Sequence, residues 1–69
     1  MFADELRMLK NTLQMFSDTS IVLETNKKII IQCPDDIEAR GLYRTLRGDG
    51  YTVAMKKGLK TDRYYVAVY

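Results

Sequence analysis

The sequence predicts an α+β fold: a two-layer sandwich of αββαββ order, whose four-stranded, mostly antiparallel sheet carries two helices on one face. Three observations predict it. Two stretches place leucines at helical spacing, and each precedes a pair of short strand-like runs separated by a turn. The nonapeptide ELRMLKNTL at 5–13 also returns as EARGLYRTL at 38–46. With 69 residues the chain is one domain, 1–69, built of helix–hairpin units 1–33 and 34–69. A domain this small buries only about 60% of its unfolded surface, so good packing or a partner has to supply its margin of stability.

The first helix follows from Phe2, Leu6, Leu9, Leu13 and Phe16, which fall at i, i+4, i+7, i+11 and i+14 and trace one stripe over four turns. Ser17-Asp18-Thr19-Ser20 ends it, because these side chains compete for backbone hydrogen bonds. Met8 and Met15 lie a heptad apart, about a third of the way round from the stripe. They either widen the core or, if exposed, form an adaptable protein-contact strip.

The β-branched-rich runs Ile21-Val22-Leu23 and Ile29-Ile30-Ile31 flank ETNKK and make a hairpin. A two-residue Asn26-Lys27 turn would pair Leu23 with Ile30 and set Glu24 opposite Ile29. A three-residue loop, Thr25-Asn26-Lys27, instead pairs Leu23 with Ile29, Ile21 with Ile31, Val22 with Ile30 and Glu24 with Lys28. The second register keeps one face apolar and matches opposite charges across the strands, so it is the one expected, with Asn26 or Lys27 in the left-handed position.

The second helix opens at Pro34-Asp35-Asp36. Either Cys33 caps it with Pro34 at the first helical position, or Asp35 caps it with Glu38 closing a capping box. Ala39, Leu42, Tyr43 and Leu46 form its apolar stripe, and Gly48-Asp49-Gly50 supplies a left-handed terminator. A second hairpin follows. Tyr51, Val53 and Met55 alternate with polar or small residues, as do Tyr64, Val66 and Val68. Pairing Met55 with Tyr64, Val53 with Val66 and Tyr51 with Val68 leaves Gly58–Thr61 as the turn.

At an offset of 33 residues Leu6, Leu9 and Leu13 fall on Ala39, Leu42 and Leu46. Shortening the loop by one residue then sets Ile21 and Leu23 on Val53 and Met55. A pseudo-two-fold helix–hairpin repeat is therefore expected. Its leucines are core positions, and the repeated motif carries no chemistry of its own.

Catalytic groups are scarce. The chain has no histidine, no phosphate-cradling glycine loop and no carboxylate pair beyond the start of the second helix, so neither an enzyme nor a cofactor is expected. Asp35, Asp36 and Glu38 are explained by capping, and one thiol without histidine makes no zinc site, so no metal is expected. The segment IIIQCPDD resembles the strand–Cys–Pro–helix element of TusA-type sulfur carriers, which would imply a reactive thiol with its pKa lowered at a helix start. That family's second proline is replaced here by Asp36, and its chain begins with a strand. Alternation with Ile29 and Ile31 instead makes Cys33 a buried structural residue.

The single cysteine, the absence of an apolar leader and the shortness of every apolar run together lead one to expect a cytoplasmic protein without membrane contact. The net charge is only +2, but from Ala39 to Tyr69 seven basic residues face two acids. Function is expected on surfaces. The sheet side away from the helices should present Val22, Lys28, Ile30, Lys56, Arg63, Tyr65 and Tyr69, an apolar patch rimmed by cations that a second copy or a cellular protein would cover. Arg40, Arg44 and Arg47 at i, i+4, i+7, with Lys57 and Lys60, would contact phosphates or an acidic partner. The leading expectation is a small regulator or inhibitor, of the kind bacteria and their viruses encode, that works by homodimerisation or partner capture. Nucleic-acid binding through the basic helix and second hairpin is the alternative.

Overall fold

The computed structural model describes residues 3–16 and 18–69, and of residues 3–5 the backbone alone. Phe2 and Ser17, both used in reading the sequence, lie outside the described residues, as does the side chain of Glu5. The elements are α1 (Ala3–Leu13), β1 (Ser20–Glu24), β2 (Ile29–Cys33), α2 (Asp36–Gly48), β3 (Val53–Lys57) and β4 (Tyr64–Val68). The strands form one antiparallel sheet in the order β1-β2-β4-β3. This is an α+β domain of two helices and four strands.

Alternation in β2 and β4 sorts the sheet into a core side and an open side. Ile29, Ile31, Cys33, Val66 and Val68 are buried, and with Leu9 of α1 and Ala39, Leu42 and Leu46 of α2 they make one core. Leu6, Leu13, Phe16, Ile21, Tyr51, Val53 and Tyr64 pack around it half-buried. Each fully buried Leu or Ile contributes about 1.5–3 kcal/mol relative to exposure. The leucine stripes therefore act as the spacing implies, α2 with three buried residues and α1 with Leu9.

Helix ends follow from local chemistry. The last turn of α1 tightens, with the Gln14, Met15 and Phe16 amides donating to carbonyls three residues back. Thr19 Oγ1 then donates to the Phe16 carbonyl at 3.3 Å and, at 3.5 Å, to that of Leu13. Of the two caps open for α2, Asp35 is the one used: its Oδ1 accepts the Glu38 amide at 2.9 Å. At the other end Gly50 takes φ +95, the Gly50 amide donates to the Arg47 carbonyl and that of Tyr51 to Leu46. This is a Schellman closure, with the left-handed residue at the position the Gly-Asp-Gly segment predicts.

Both hairpins correct the expected registers. In the first, Ile21 pairs with Ile31 as expected, but Leu23 then pairs with Ile30 and Glu24 with Ile29, the shift falling between Ile21 and Leu23. Val22 is the extra residue of a β-bulge. The tight turn is made by Thr25, whose amide donates to the Lys28 carbonyl at 2.9 Å and whose Oγ1 accepts the Lys27 and Lys28 amides at 3.2 and 3.0 Å. That side chain replaces a backbone acceptor, so the turn does not require a left-handed residue. Among the described non-glycine residues, Asp18 has a positive φ and neither Asn26 nor Lys27 does.

In the second hairpin Val53 pairs with Val68, Met55 with Val66 and Lys57 with Tyr64. The register has slipped by two residues from the expected one, and the Gly58 amide closes the turn onto the Arg63 carbonyl at 3.0 Å. A slip of two leaves every side chain on its expected side, because the strand period is two. The bulge in β1 is different in kind: past Val22 it exchanges the sides of Leu23 and Glu24.

Candidate functional site

The open side of the sheet has an apolar band across all four strands. Val22 and Leu23 of β1, Ile30 of β2, Ala67 of β4 and Ala54 of β3 fall in one cross-strand row. One neighbouring row holds Gln32, Tyr65 and Lys56, and Lys28 and Tyr69 extend the pairing on the other side. The two alanines at the centre are shorter than their neighbours, so the band is a shallow groove of about 410 Å³.

Two local features shape it. A Cβ at Gly58 would lie 3.0 Å from Tyr65 Cε2 and 2.6 Å from Thr61 Oγ1, so only glycine lets the Tyr65 ring lie against this turn. The bulge brings Leu23, 40% exposed, beside Val22 on the groove wall and turns Glu24 to the core side. There Glu24 Oε1 lies 3.9 Å from Lys10 Nζ of α1, an exposed ion pair. Among the described residues that line the groove, the charged ones are Lys28 and Lys56, and none is a carboxylate.

Of the residues expected on this side, Val22, Lys28, Ile30, Lys56, Tyr65 and Tyr69 are brought together. Arg63 is not. It sits exposed in the β3–β4 turn, where its carbonyl receives the Gly58 amide. Leu23 and Met55, both expected on the helix side, are lining members that sequence reasoning missed. The clue to Leu23 is the two-residue Asn26-Lys27 turn, which sets Glu24 opposite Ile29; a bulge allows that turn while Ile21 stays in the core.

A second concavity, about 500 Å³, lies between α2 and the edge strand β3, lined by Arg40, Tyr43, Arg44, Arg47, Gly48 and Met55. The three arginines predicted to act together do share this groove, while Lys57 and Lys60 do not line it. Arg40 Nη2 lies 3.8 Å from Asp36 Oδ2 one turn earlier. No carboxylate among the described residues pairs with Arg44 or Arg47.

Cys33 is fully buried. Burial pushes its thiol up to about 11, with Glu38 and Asp35 adding repulsion to the thiolate. The resemblance to a sulfur carrier implied the opposite direction; here burial of the thiol raises it first, and the acids at the helix start add to that. Of the carboxylates at the start of α2, Asp35 accepts the Glu38 amide and Asp36 lies 3.8 Å from Arg40. No helix among the described residues is long and apolar enough to cross a membrane.

No protein-family model matches this chain, and comparison with curated proteins and with solved structures gives no significant match.

Proposed function

We propose that this protein is a small non-enzymatic binding module, a regulator or inhibitor that captures another protein on the open side of its sheet. The observation that carries this reading is the apolar band crossing four strands, with Tyr65 and Tyr69 beside it and only lysines for charge. A band of this kind is unusual on a free monomer, and burying it supplies stabilisation that a 69-residue core lacks. Homodimerisation fits less well. Two copies face to face would oppose Lys28 and Lys56 with no carboxylate to receive them, so the fitting partner is a protein whose apolar knob has an acidic rim.

The finer architecture belongs to the same reading. We take the two αββ units as a pseudo-two-fold pair in a two-layer sandwich. Support comes from the central place of both second strands, β2 and β4, and from Leu9 sharing a core with Ala39, Leu42 and Leu46. Nucleic-acid binding stands second. The basic residues invoked for it are dispersed: Arg40, Arg44 and Arg47 line the α2–β3 groove, Lys56 borders the open side, and Lys60 and Arg63 lie in the turn.

Affinity capture with immobilised wild-type, Ala67→Glu and Arg44→Glu proteins tests the reading. The expected result is a polypeptide retained by wild type and Arg44→Glu, lost from Ala67→Glu, and eluted by salt. Capture indifferent to Ala67→Glu would remove the open side from consideration. A dimer in sedimentation equilibrium that Ala67→Glu dissociates would give the surface to a second copy instead.

A further inference from the structure

The outer edge of β3 is the second feature that calls for an occupant. β3 has β4 on one side and, among the described residues, no strand on the other. The Tyr69 amide donates to the Thr52 carbonyl at 2.9 Å and the Gly58 amide to Arg63 at 3.0 Å, which fixes the phase of the ladder. In an antiparallel pair hydrogen-bonded positions alternate, so residues 52, 54, 56 and 58 bond toward β4. The N–H and C=O groups of Val53, Met55 and Lys57 therefore point outward. The side chains of these same three residues lie on the core side, and Met55 shares its groove with Arg40, Arg44 and Arg47.

We infer that the β3 edge is a strand-addition site for an acidic, extended polypeptide segment. The added strand would exchange hydrogen bonds with Val53, Met55 and Lys57. Residues of an added strand that stand opposite these three point to the same side of the sheet, so its alternate side chains would fall along the arginine groove. Carboxylates at those alternate positions meet Arg44 and Arg47, which have no carboxylate partner among the described residues. The charge pattern also disfavours a second copy. Pairing β3 antiparallel with another β3 about Met55 sets the second copy's Lys57 opposite Val53, a cation rather than a carboxylate along the arginine groove, and pairing it with β1 meets the bulge at Val22. A nucleic-acid strand could satisfy the arginines but has no backbone pattern to match the three outward amides. This inference does not depend on the open-side reading, since Met55 alone borders both grooves and the arginines and outward amides take no part in the open side.

Hydrogen exchange by NMR on the full chain tests it, with a capped peptide of about ten residues alternating Glu with Val as the probe. Saturating peptide should slow exchange of the Val53, Met55 and Lys57 amides at least about tenfold, while the Ala54 and Lys56 amides change little. Arg44→Glu should weaken binding at least about tenfold with its melting curve unchanged, since the residue is exposed. The same peptide N-methylated at its Glu residues keeps every charge but cannot pair, and should not bind. Binding of the methylated peptide, peptide binding without protection of the three amides, or no peptide binding beside tight salt-sensitive binding of oligo-dT would each overturn strand addition.

Discussion

The ring of Phe16 rests on the backbone of Gly41: a Cβ built at that glycine would lie 3.2 Å from Phe16 Cε1. The contact joins the segment after α1 to the middle of α2, and it depends on a residue that is otherwise a poor helix former. In a helix interior glycine costs about 1 kcal/mol relative to alanine. Here that cost accompanies a ring packed against the core.

A double-mutant cycle makes this relationship measurable. In a Phe16→Leu background, where the ring edge is gone, Gly41→Ala should stabilise the domain by about 1 kcal/mol in urea unfolding. In wild type the bulkier Gly41→Val should cost about 1–3 kcal/mol by overpacking. A neutral or stabilising Gly41→Val would mean that Phe16 moves aside without loss, and the contact would then have no structural role.

Gly41 also explains why the repeated nonapeptide was only partly legible. Leu9 and Leu42 share a phase and are both fully buried, so spacing alone located them. Met8 and Gly41 share a phase too, yet Met8 is 63% exposed while Gly41 receives an aromatic ring. Helical period reports which side of a helix is apolar, but not which neighbour reaches it. The strands show the same division. Alternation named the buried positions of β2 and β4, because a two-residue slip preserves sides. It failed in β1, where one inserted residue moved Leu23 outward and Glu24 inward. The turn residue responsible, Thr25, carries no glycine or proline signal. The arginine groove was legible because i, i+4, i+7 spacing is set within α2 itself; its other wall, Met55, depends on the register of a distant hairpin.

Deleting Val22 isolates the bulge. Without it, Leu23 opposite Ile30 and Glu24 opposite Ile29 continue directly from Ile21 opposite Ile31, so no remaining side chain changes sides. The deletion should leave the fold intact and alter stability by less than about 1 kcal/mol, since Val22 is half exposed. Amide cross-peaks of β2 and β4 should stay near their wild-type positions. Unfolding, or wholesale shifts through β2, would show that the bulge itself sets the register.

Leu9 is the one fully buried residue that α1 contributes to the core among those described. Leu9→Ala should cost about 2–5 kcal/mol by transfer and cavity terms. Against the roughly 0.05–0.15 kcal/mol per residue that small domains possess, this is enough to leave much of the chain unfolded. Met8→Ala, one residue away and exposed, should stay within about 0.5 kcal/mol. Similar melting temperatures for the two variants would mean that α1 is not held through Leu9.

Cys33 gives the domain an alkaline limit whose sign follows from its burial. The folded-state thiol titrates at about 11, against 9.0 for an unperturbed one. Below pH 9 both folded and unfolded chains hold the proton, and the stabilisation is fully present. Between 9 and 11 the folded chain keeps its proton while the unfolded chain releases it, so stability falls as pH rises. Two units correspond to about 2–3 kcal/mol, lost progressively across this window. The observable is the difference between wild type and Cys33→Ala in urea unfolding at pH 8 and pH 11, which isolates the contribution of the thiol. The variant should be less stable at pH 8, where it lacks the buried sulfur's contacts, and should close much of that gap by pH 11. A gap that stays constant would place the thiol's titration in the ordinary range and remove the basis for treating Cys33 as an inert part of the core.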